Sequence, residues 1–572
     1  MRIRLLQILV ALCYFILICQ LINLAVFRSS YFRELADKNC IRFVPQQGGR
    51  GKILDANNKI LVTNRLSYDV LILPQSLFQI TQIFEKLSFI LQISPEQLME
   101  QFKRNYTEPS VPVCVAKNIG LDKAVQVEES KLNLEGVIVQ TNVMRYYPYE
   151  KIAAHILGHL GQIDVWRLSK LASYGYKAKD IVGVGGIEER YDYYLRQQDG
   201  GISIEVDHQG RFSRLLSYFP PRNGKDIGLT IDLRIQRIVE EILDNYIGSI
   251  VIIEPNTGAV LAMASRPDFS PLSFLKSNSP KLLSELFNNP YAPLTNRAIQ
   301  GQYPPGSVFK PLVATAALEL NKINSATTFN CPGFLRIGRR DFKCWAVHNE
   351  VDLIKALAQS CDVFFYKLGL AIGPAKLHEF ADKFGLGQLT GVELPYEAKG
   401  NIPHPLLRKM KTFQRWYDGD TANFAIGQGA VLVTPLQMVR AIAVFANGGQ
   451  LVRPYLVRSI DQKDVSSSHQ KIEQLPLKKK YLELVRRGLR EVVANPQGTA
   501  HVLANLPVSV AGKTGTAEAP GGTHAWFVGF FPFEKPQFCA AVFLENGGHG
   551  AKSASLLKEI IERMIEEGII LP

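Results

Sequence analysis

Pro304-Pro305-Gly306-Ser307-Val308-Phe309-Lys310 is the stretch on which the reading of this chain turns. Ser307 and Lys310 are three apart, so on a helix they share a face and the amine can reach the hydroxyl. A serine hydroxyl is a weak nucleophile unless a base stands beside it. The S-x-x-K spacing alone decides little, because Ser273/Lys276, Ser468/Lys471 and Ser555/Lys558 also match it. The setting decides. Pro304-Pro305-Gly306 cannot continue a helix backwards, so Ser307 falls at a helix N-terminus, where backbone N–H groups favour developing negative charge.

Working outward, Lys513-Thr514-Gly515-Thr516 lies on a strand predicted over 508–518. A chance K-T-G is expected only about 0.1 times at average composition. A lysine and two hydroxyls on a strand edge can hold a carboxylate, and Gly515 lets a substrate backbone come close. The plainer alternative is a surface lysine before a turn. Ser360-Cys361-Asp362 lies between the two motifs, at the start of an apolar helix over 363–370. A serine there also reads as an ordinary N-terminal cap.

The chain has 572 residues and a net charge of +13, with 47% hydrophobic and 20% charged residues. These values exclude a disordered chain, a collagen-like fibre, a multi-span transporter and, with eight cysteines, a small disulfide scaffold. The charge favours acidic partners, but no nucleic-acid motif accompanies it. Residues 5–27 carry no charge and are long enough to span a bilayer. With Arg2 and Arg4 before them, they read as an uncleaved anchor with a four-residue cytoplasmic tail, 1–4.

Beyond the anchor, 28–222 reads as mixed short-period structure. Asn57-Asn58 marks a hairpin turn, and 76–104 is helical with a second start at Ser94-Pro95-Glu96. Gly183-Val184-Gly185-Gly186 reads as a flexible loop rather than a dinucleotide site. From 223 to 572 the pattern is more regular. A helix is predicted over 233–246, and strands over 249–254, 259–264, 508–518, 525–531 and 539–544. A last helix carries Leu557, Ile560, Ile561 and Met564. Residues 459–480 read as an exposed polar loop. Strands at both ends around a helical middle make this an α+β domain.

S-x-x-K, an S-x-N-like triplet and K-T-G in this order resemble the signature of penicillin-binding proteins and serine β-lactamases. The likeness extends along the chain. Arg50-Gly51, Asp55 and Asn64, Arg145-Tyr146-Tyr147-Pro148, Gly186-Ile187-Glu188, the block from Pro255 to Met263, and Gly427-Gln428-Gly429 all resemble class B penicillin-binding proteins. Asp362 in the middle motif and His524-Ala525-Trp526-Phe527 resemble the elongation group. The resemblance implies a single transmembrane helix, an elongated mixed α/β pedestal or dimerisation domain at 28–222, and a transpeptidase domain at 223–572. It implies for that last domain a five-stranded antiparallel sheet flanked by helices.

It also implies an activity. Ser307 is the nucleophile, Lys310 the base and Ser360 a proton relay. Lys513, Thr514 and Thr516, with Gly515, take the substrate carboxylate. Asp362 works against a neutral Lys310, because a carboxylate favours protonated lysine. Implied partners are peptidoglycan stem peptides, β-lactams, the membrane, a SEDS-family glycosyltransferase and other elongation-complex proteins. The implied location is the inner membrane, with the catalytic domain in the periplasm. A β-lactamase or carboxypeptidase, and a scaffold for the glycosyltransferase, stand as alternatives.

Cys331, Cys344, His348 and Cys361 have the spacing C-x12-C-x3-H-x12-C. Three thiolates and an imidazole can close a tetrahedral zinc site. Some elongation transpeptidases resemble this with carboxylates in place of two cysteines. A disulfide between Cys331 and Cys344 is the competing expectation.

Overall fold

The computed structural model describes residues 2–33, 41–74, 80–106, 112–134, 136–178, 180–206, 212–275 and 280–571. The chain forms two compact units. One gathers 1–51, 64–144 and 196–224, the other 52–63, 145–195 and 225–572. Sequence order places 52–63 and 145–195 in the pedestal, but in space they pack with the C-terminal half.

The first unit begins with a helix, Arg2–Ile22, that continues through a wider turn, Asn23–Phe27. Ile3–Phe27 has a mean hydropathy of 2.6 over its most apolar window and is long enough to cross a membrane. Elsewhere in this unit Ile41–Gln46, Gly200–Val206 and Phe212–Phe219 form a three-stranded antiparallel sheet. Helices Ile80–Leu91 and Pro95–Asn105 bury Ile83, Leu87, Leu98 and Phe102 against Val70, Ile72 and Val113. Ser94 caps the second helix by accepting from the Gln97 N–H. Residues 75–79, the start of the helix expected from 76, lie outside the described residues.

In the second unit the expected hairpin is present. Ile53–Leu54 pairs with the start of Ile60–Ile72 around a turn in which Asn58 has φ 61°. The glycine run at 183–186 is a correction. It lies between a strand, Ile181–Val184, and a short helix, Gly186–Arg190, and is packed rather than flexible. A Cβ at Gly183 would sit 1.9 Å from the Glu188 carbonyl oxygen, so only glycine fits. Residues 459–480 also depart from expectation. Gln450–Val452 pairs with Ile472–Gln474, and Val457–Ile460 pairs with Ile227–Leu229, so non-local partners make strands of a polar segment.

The core of this unit is a five-stranded antiparallel sheet. Its strands are β1 (Gly248–Ile253), β2 (Val260–Arg266), β3 (Ala511–Ala519), β4 (Gly522–Phe531) and β5 (Phe538–Leu544), in the order β2-β1-β5-β4-β3. Side chains alternate between two cores. Ile250 and Ile252 of β1 join one, Val251 and Ile253 the other. On β4, Phe527 and Phe531 oppose Trp526, Val528 and Phe530. Because both faces are buried, β1, β4 and β5 read as largely apolar runs, whereas the edge strand β3 carries the polar Lys513-Thr514-Gly515-Thr516.

Helix α1 (Leu233–Leu243) covers the first face, together with the C-terminal helix Gly550–Glu566. On the other face lie α2 (Lys310–Glu319), α3 (Leu353–Ala358), α4 (Asp362–Ile372) and α5 (Pro435–Ala446). The three sequence motifs are thereby distributed over the entrance to α2, the α3–α4 junction and the edge strand β3.

Candidate active site

Ser307 lies in a single 3₁₀ turn, Gly306–Phe309, that runs directly into α2. Gly306 has φ 59°, and its N–H donates to the Gly427 carbonyl at 2.9 Å. A side chain at Gly306 would meet the Thr516 carbonyl oxygen at 2.7 Å, so the nucleophile turn sits against β3. Gly515 serves the same contact. A Cβ there would lie 2.9 Å from both the Pro305 oxygen and Val308 Cγ1. The close approach that Gly515 permits is that of the nucleophile's own turn. The Trp526 indole N–H adds a bond to the Pro304 oxygen at 3.0 Å.

Lys310 is fully buried. Its Nζ donates to Asp362 Oδ1 at 2.7 Å, to the Ser360 carbonyl at 2.8 Å and to Ser360 Oγ at 3.1 Å. An ammonium has three protons, and all three are placed. The α3–α4 junction explains the geometry. Cys361 is the N-cap of α4, and Ser360 precedes it with φ 55°, a left-handed conformation that a non-glycine residue adopts only when its surroundings enforce it. That kink turns both the carbonyl and the hydroxyl of Ser360 toward Lys310. Ser360 is thus the link between two helices, not a cap.

Lys513 is also fully buried, and its Nζ donates to the Thr514 carbonyl at 3.0 Å. Burial holds it well below the ordinary lysine range. The nearby positive charge of Lys310 adds to this, and Asp362 opposes it. The site therefore contains two amines and one carboxylate, and Lys513 is the amine that gives up its proton more readily than an ordinary lysine.

Thr514 shares a 2.5 Å hydrogen bond with Thr499, and Thr516 Oγ1 accepts from the Gly550 N–H at 3.1 Å. Thr499 was not legible as a site residue. Its backbone N–H donates to the Ala358 carbonyl at 3.2 Å, so it joins the second motif to the third. Of the other S-x-x-K matches, Lys276 of Ser273/Lys276 lies outside the described residues, and the remaining two do not form such an arrangement. Ser555 Oγ donates to Ala551, one turn back on its own helix, and Ser468 Oγ donates to Val465.

Comparison with known proteins agrees with this geometry. Residues 248–562 match the penicillin-binding protein transpeptidase domain, and 45–229 match the penicillin-binding protein dimerisation domain. The chain belongs to the penicillin-binding protein transpeptidases. Peptidoglycan D,D-transpeptidase MrdA of Escherichia coli is 32% identical, over 96% of this chain and 92% of the relative. The penicillin-binding protein PBP2 of Helicobacter pylori, solved in complex with MreC, superposes with a TM-score of 0.82 at 30% identity. That match covers 93% of this chain and all of the other. A chain of a peptidoglycan synthase complex that coordinates polymerization and crosslinking gives a TM-score of 0.77 at 29% identity, covering 98% of each.

In this penicillin-binding protein the four candidate metal ligands also converge. The ligand atoms of Cys331, Cys344, His348 and Cys361 lie within 4.8 Å of one another, and the three thiols are free. His348 Nδ1 is 3.5 Å from both Cys331 Sγ and Cys344 Sγ, while Nε2 is buried and has no partner among the described residues. Tetrahedral zinc, at ~2.3 Å to sulfur and ~2.0 Å to nitrogen, sets sulfur and nitrogen roughly 3.5 Å apart. The donor set fits. A hydrogen bond from the Cys361 thiol, aided by backbone N–H groups, holds Cys344 well below the ordinary thiol range, and Cys361 is pushed up in response. The Asp362 N–H donates to Cys344 Sγ at 3.2 Å, which fastens the cluster to the residue that pairs with Lys310.

Proposed function

We propose that this chain is the cross-linking D,D-transpeptidase of cell-wall elongation, acting on peptidoglycan stem peptides. The observation that carries this reading is the buried junction of Lys310, Ser360 and Asp362 beside Ser307 and Lys513 in a chain of this family. Ser307 Oγ attacks the carbonyl carbon of the penultimate D-Ala, and its proton passes to a lysine amine. The peptide C–N bond breaks, and the terminal D-Ala leaves with a proton relayed through Ser360. An amine of a neighbouring stem peptide then attacks the ester, forming the cross-link and restoring Ser307. The backbone N–H groups of Ser307 and Thr516 stabilise the oxyanion. Thr514, Thr516 and Lys513, with Gly515 beside them, receive the substrate's terminal carboxylate.

The carboxylate of the substrate also bears on the charge of the two lysines. Asp362 and Ser360 accept the three N–H groups of Lys310. A substrate carboxylate arriving at Lys513 favours the charged form of Lys513. Lys310, three residues from Ser307, is the candidate base.

The cysteine–histidine cluster is read as a structural zinc site held by three sulfurs and His348 Nδ1. Zinc there supplies a strap that fixes Cys361, and with it Ser360 and Asp362. Metal analysis of the purified full chain should give about one zinc per chain. A Cys331–Cys344 disulfide in the mass map of untreated protein would remove this reading. The apolar helix Ile3–Phe27, with Arg2 and Arg4 at its start, supports reading this as an inner-membrane enzyme with its catalytic domain in the periplasm. The likeness to chains solved with MreC and in a peptidoglycan synthase complex supports an MreC-like partner and a SEDS-family glycosyltransferase. β-Lactams acylate Ser307.

Labelling with a fluorescent penicillin tests the core assignment. Stable labelling of wild type and Ser555→Ala, abolished in Ser307→Ala, is the expected result. Rapid turnover of the label would favour a β-lactamase or carboxypeptidase. Full rescue of a depleted cell by Ser307→Ala would favour a scaffold.

A further inference from the structure

We infer that an exposed basic and apolar surface beside the α3–α4 junction binds the acidic glycopeptide strand whose stem peptide enters the site. This inference rests on the transpeptidase reading. Two segments build the surface. One is the hairpin Phe334–Ile337 and Arg340–Lys343. The other is 404–420, which contains the helix Pro405–Thr412. Together they hold eight Lys and Arg against three Asp, a net +5 in 27 residues, where the whole chain carries +13 in 572.

Two ion pairs lie within the surface, Arg336 with Asp341 at 2.8 Å and Arg408 with Asp420 at 3.0 Å. The side chains of Arg339, Arg340, Lys343, Lys409 and Arg415 have no carboxylate partner among the described residues. Apolar side chains stand among these cations and face solvent. On the helix and just after it, Leu406, Met410 and Phe413 are 66%, 74% and 90% exposed at spacings of four and three. Tyr417 and Phe334 are exposed as well. A helix normally turns such a stripe inward. Single exposed apolar residues are ordinary, but a row of them ringed by unpaired cations marks a binding surface.

The surface is joined to the chemistry. The hairpin's second strand leads straight into Cys344, whose sulfur accepts from the Asp362 N–H. Its Phe342 packs edge-on against Tyr366 of α4, with ring centroids 5.7 Å apart, and the Tyr366 hydroxyl donates to the Lys343 carbonyl. A Cβ at Gly419 would lie 2.9 Å from the Phe342 ring, so the second segment packs on the first. A ligand lying here reaches α4 at Tyr366, one helical turn from Asp362, the carboxylate that holds Lys310.

The occupant follows from charge and shape. Stem peptides carry free carboxylates at regular intervals along a strand, which suit the unpaired cations. Sugar rings present flat C–H faces, which suit exposed aromatic and aliphatic side chains. Anionic lipid shares the charge but lacks the repeat of carboxylates on an extended chain.

The test uses the full chain reconstituted in phosphatidylcholine nanodiscs, so that the anchor is already satisfied. Fluorescent, soluble, uncross-linked glycan strands are titrated in, and phosphatidylglycerol vesicles are added separately. The variants are Lys409→Glu/Arg415→Glu and Met410→Ser/Phe413→Ser. Strand affinity should fall at least tenfold in the charge-reversed variant and severalfold in the other. It should also fall when the carboxylates of the strands are amidated. Fluorescent-penicillin labelling of Ser307 and the melting temperature should stay at wild-type values. Equal strand binding by wild type and variants would overturn the inference, as would variant-sensitive binding to phosphatidylglycerol without binding to strands. Loss of penicillin labelling in wild type would instead overturn the transpeptidase reading.

Discussion

Asp362 is the residue on which the site's charge state depends. It accepts from Lys310, and it is the one contribution that opposes the low proton affinity of Lys513. Removing its charge leaves two buried amines with no anion between them. The sign follows directly. Asp362 favours the protonated form of its neighbours, so Asp362→Asn lets a neutral amine persist to lower pH. The acid limb of the rate of Ser307 acylation by a penicillin, followed from pH 5 to 9, should move down by about one pH unit. An unmoved limb would show that neither lysine sets it. The sequence made all five catalytic candidates legible, because nucleophile and base need fixed residue types at fixed spacing. It did not show the left-handed turn at Ser360, since no glycine marks it. Nor did it show Thr499, whose only signal is a partner 15 residues away.

At the scale of elements, the nucleophile turn is held by its neighbours more than by its own sequence. Tyr303, four residues before Ser307, exchanges two backbone hydrogen bonds with Val433, each 2.9 Å. The next residue, Thr434, is the buried N-cap of α5 and forms a reciprocal capping box with Gln437. The cap therefore stands directly behind the segment that presents Ser307. Thr434→Ala should cost about 1 kcal/mol and lower the melting temperature by roughly 2–4 °C. Acylation should slow with it, because the bridge at Val433 loosens. A melting temperature unchanged in calorimetry would show that the cap is redundant. The helices and strands here were legible from apolar runs and breakers. The short strands at 457–474 were not, because their pairing partners lie far away in the chain.

At the scale of the whole molecule, two units are each built from alternating segments of one chain, and the first includes the one helix among the described residues long and apolar enough to cross a membrane. The anchor was legible from length and lack of charge. The interleaving was not, since segments 52–63 and 145–195 carry no local sign of where they pack. The anchor and the chemistry are separable in principle, because Ile3–Phe27 buries nothing within the chain. Deleting residues 2–27 should move the protein from the membrane pellet to the soluble fraction of a cell lysate. Penicillin labelling should stay within about twofold of wild type. Labelling lost together with membrane association would mean that the second unit needs the anchor to fold.

The strand order carries a consequence for how the protein is made. β5, the centre of the sheet, lies between β1 and β4, yet it is synthesised last. From Ile253 to Phe538 is 538 − 253 = 285 residues of intervening chain. At ~5–20 residues per second, β1 waits roughly 15–60 s for the neighbour that completes it. During that time one edge of an apolar hairpin stays open to any passing strand. A message truncated between codons 362 and 538 thus yields a nascent chain that carries its nucleophile and all four cysteine–histidine ligands but never its complete sheet. Quality control must hold this chain until Phe538–Leu544 has been made.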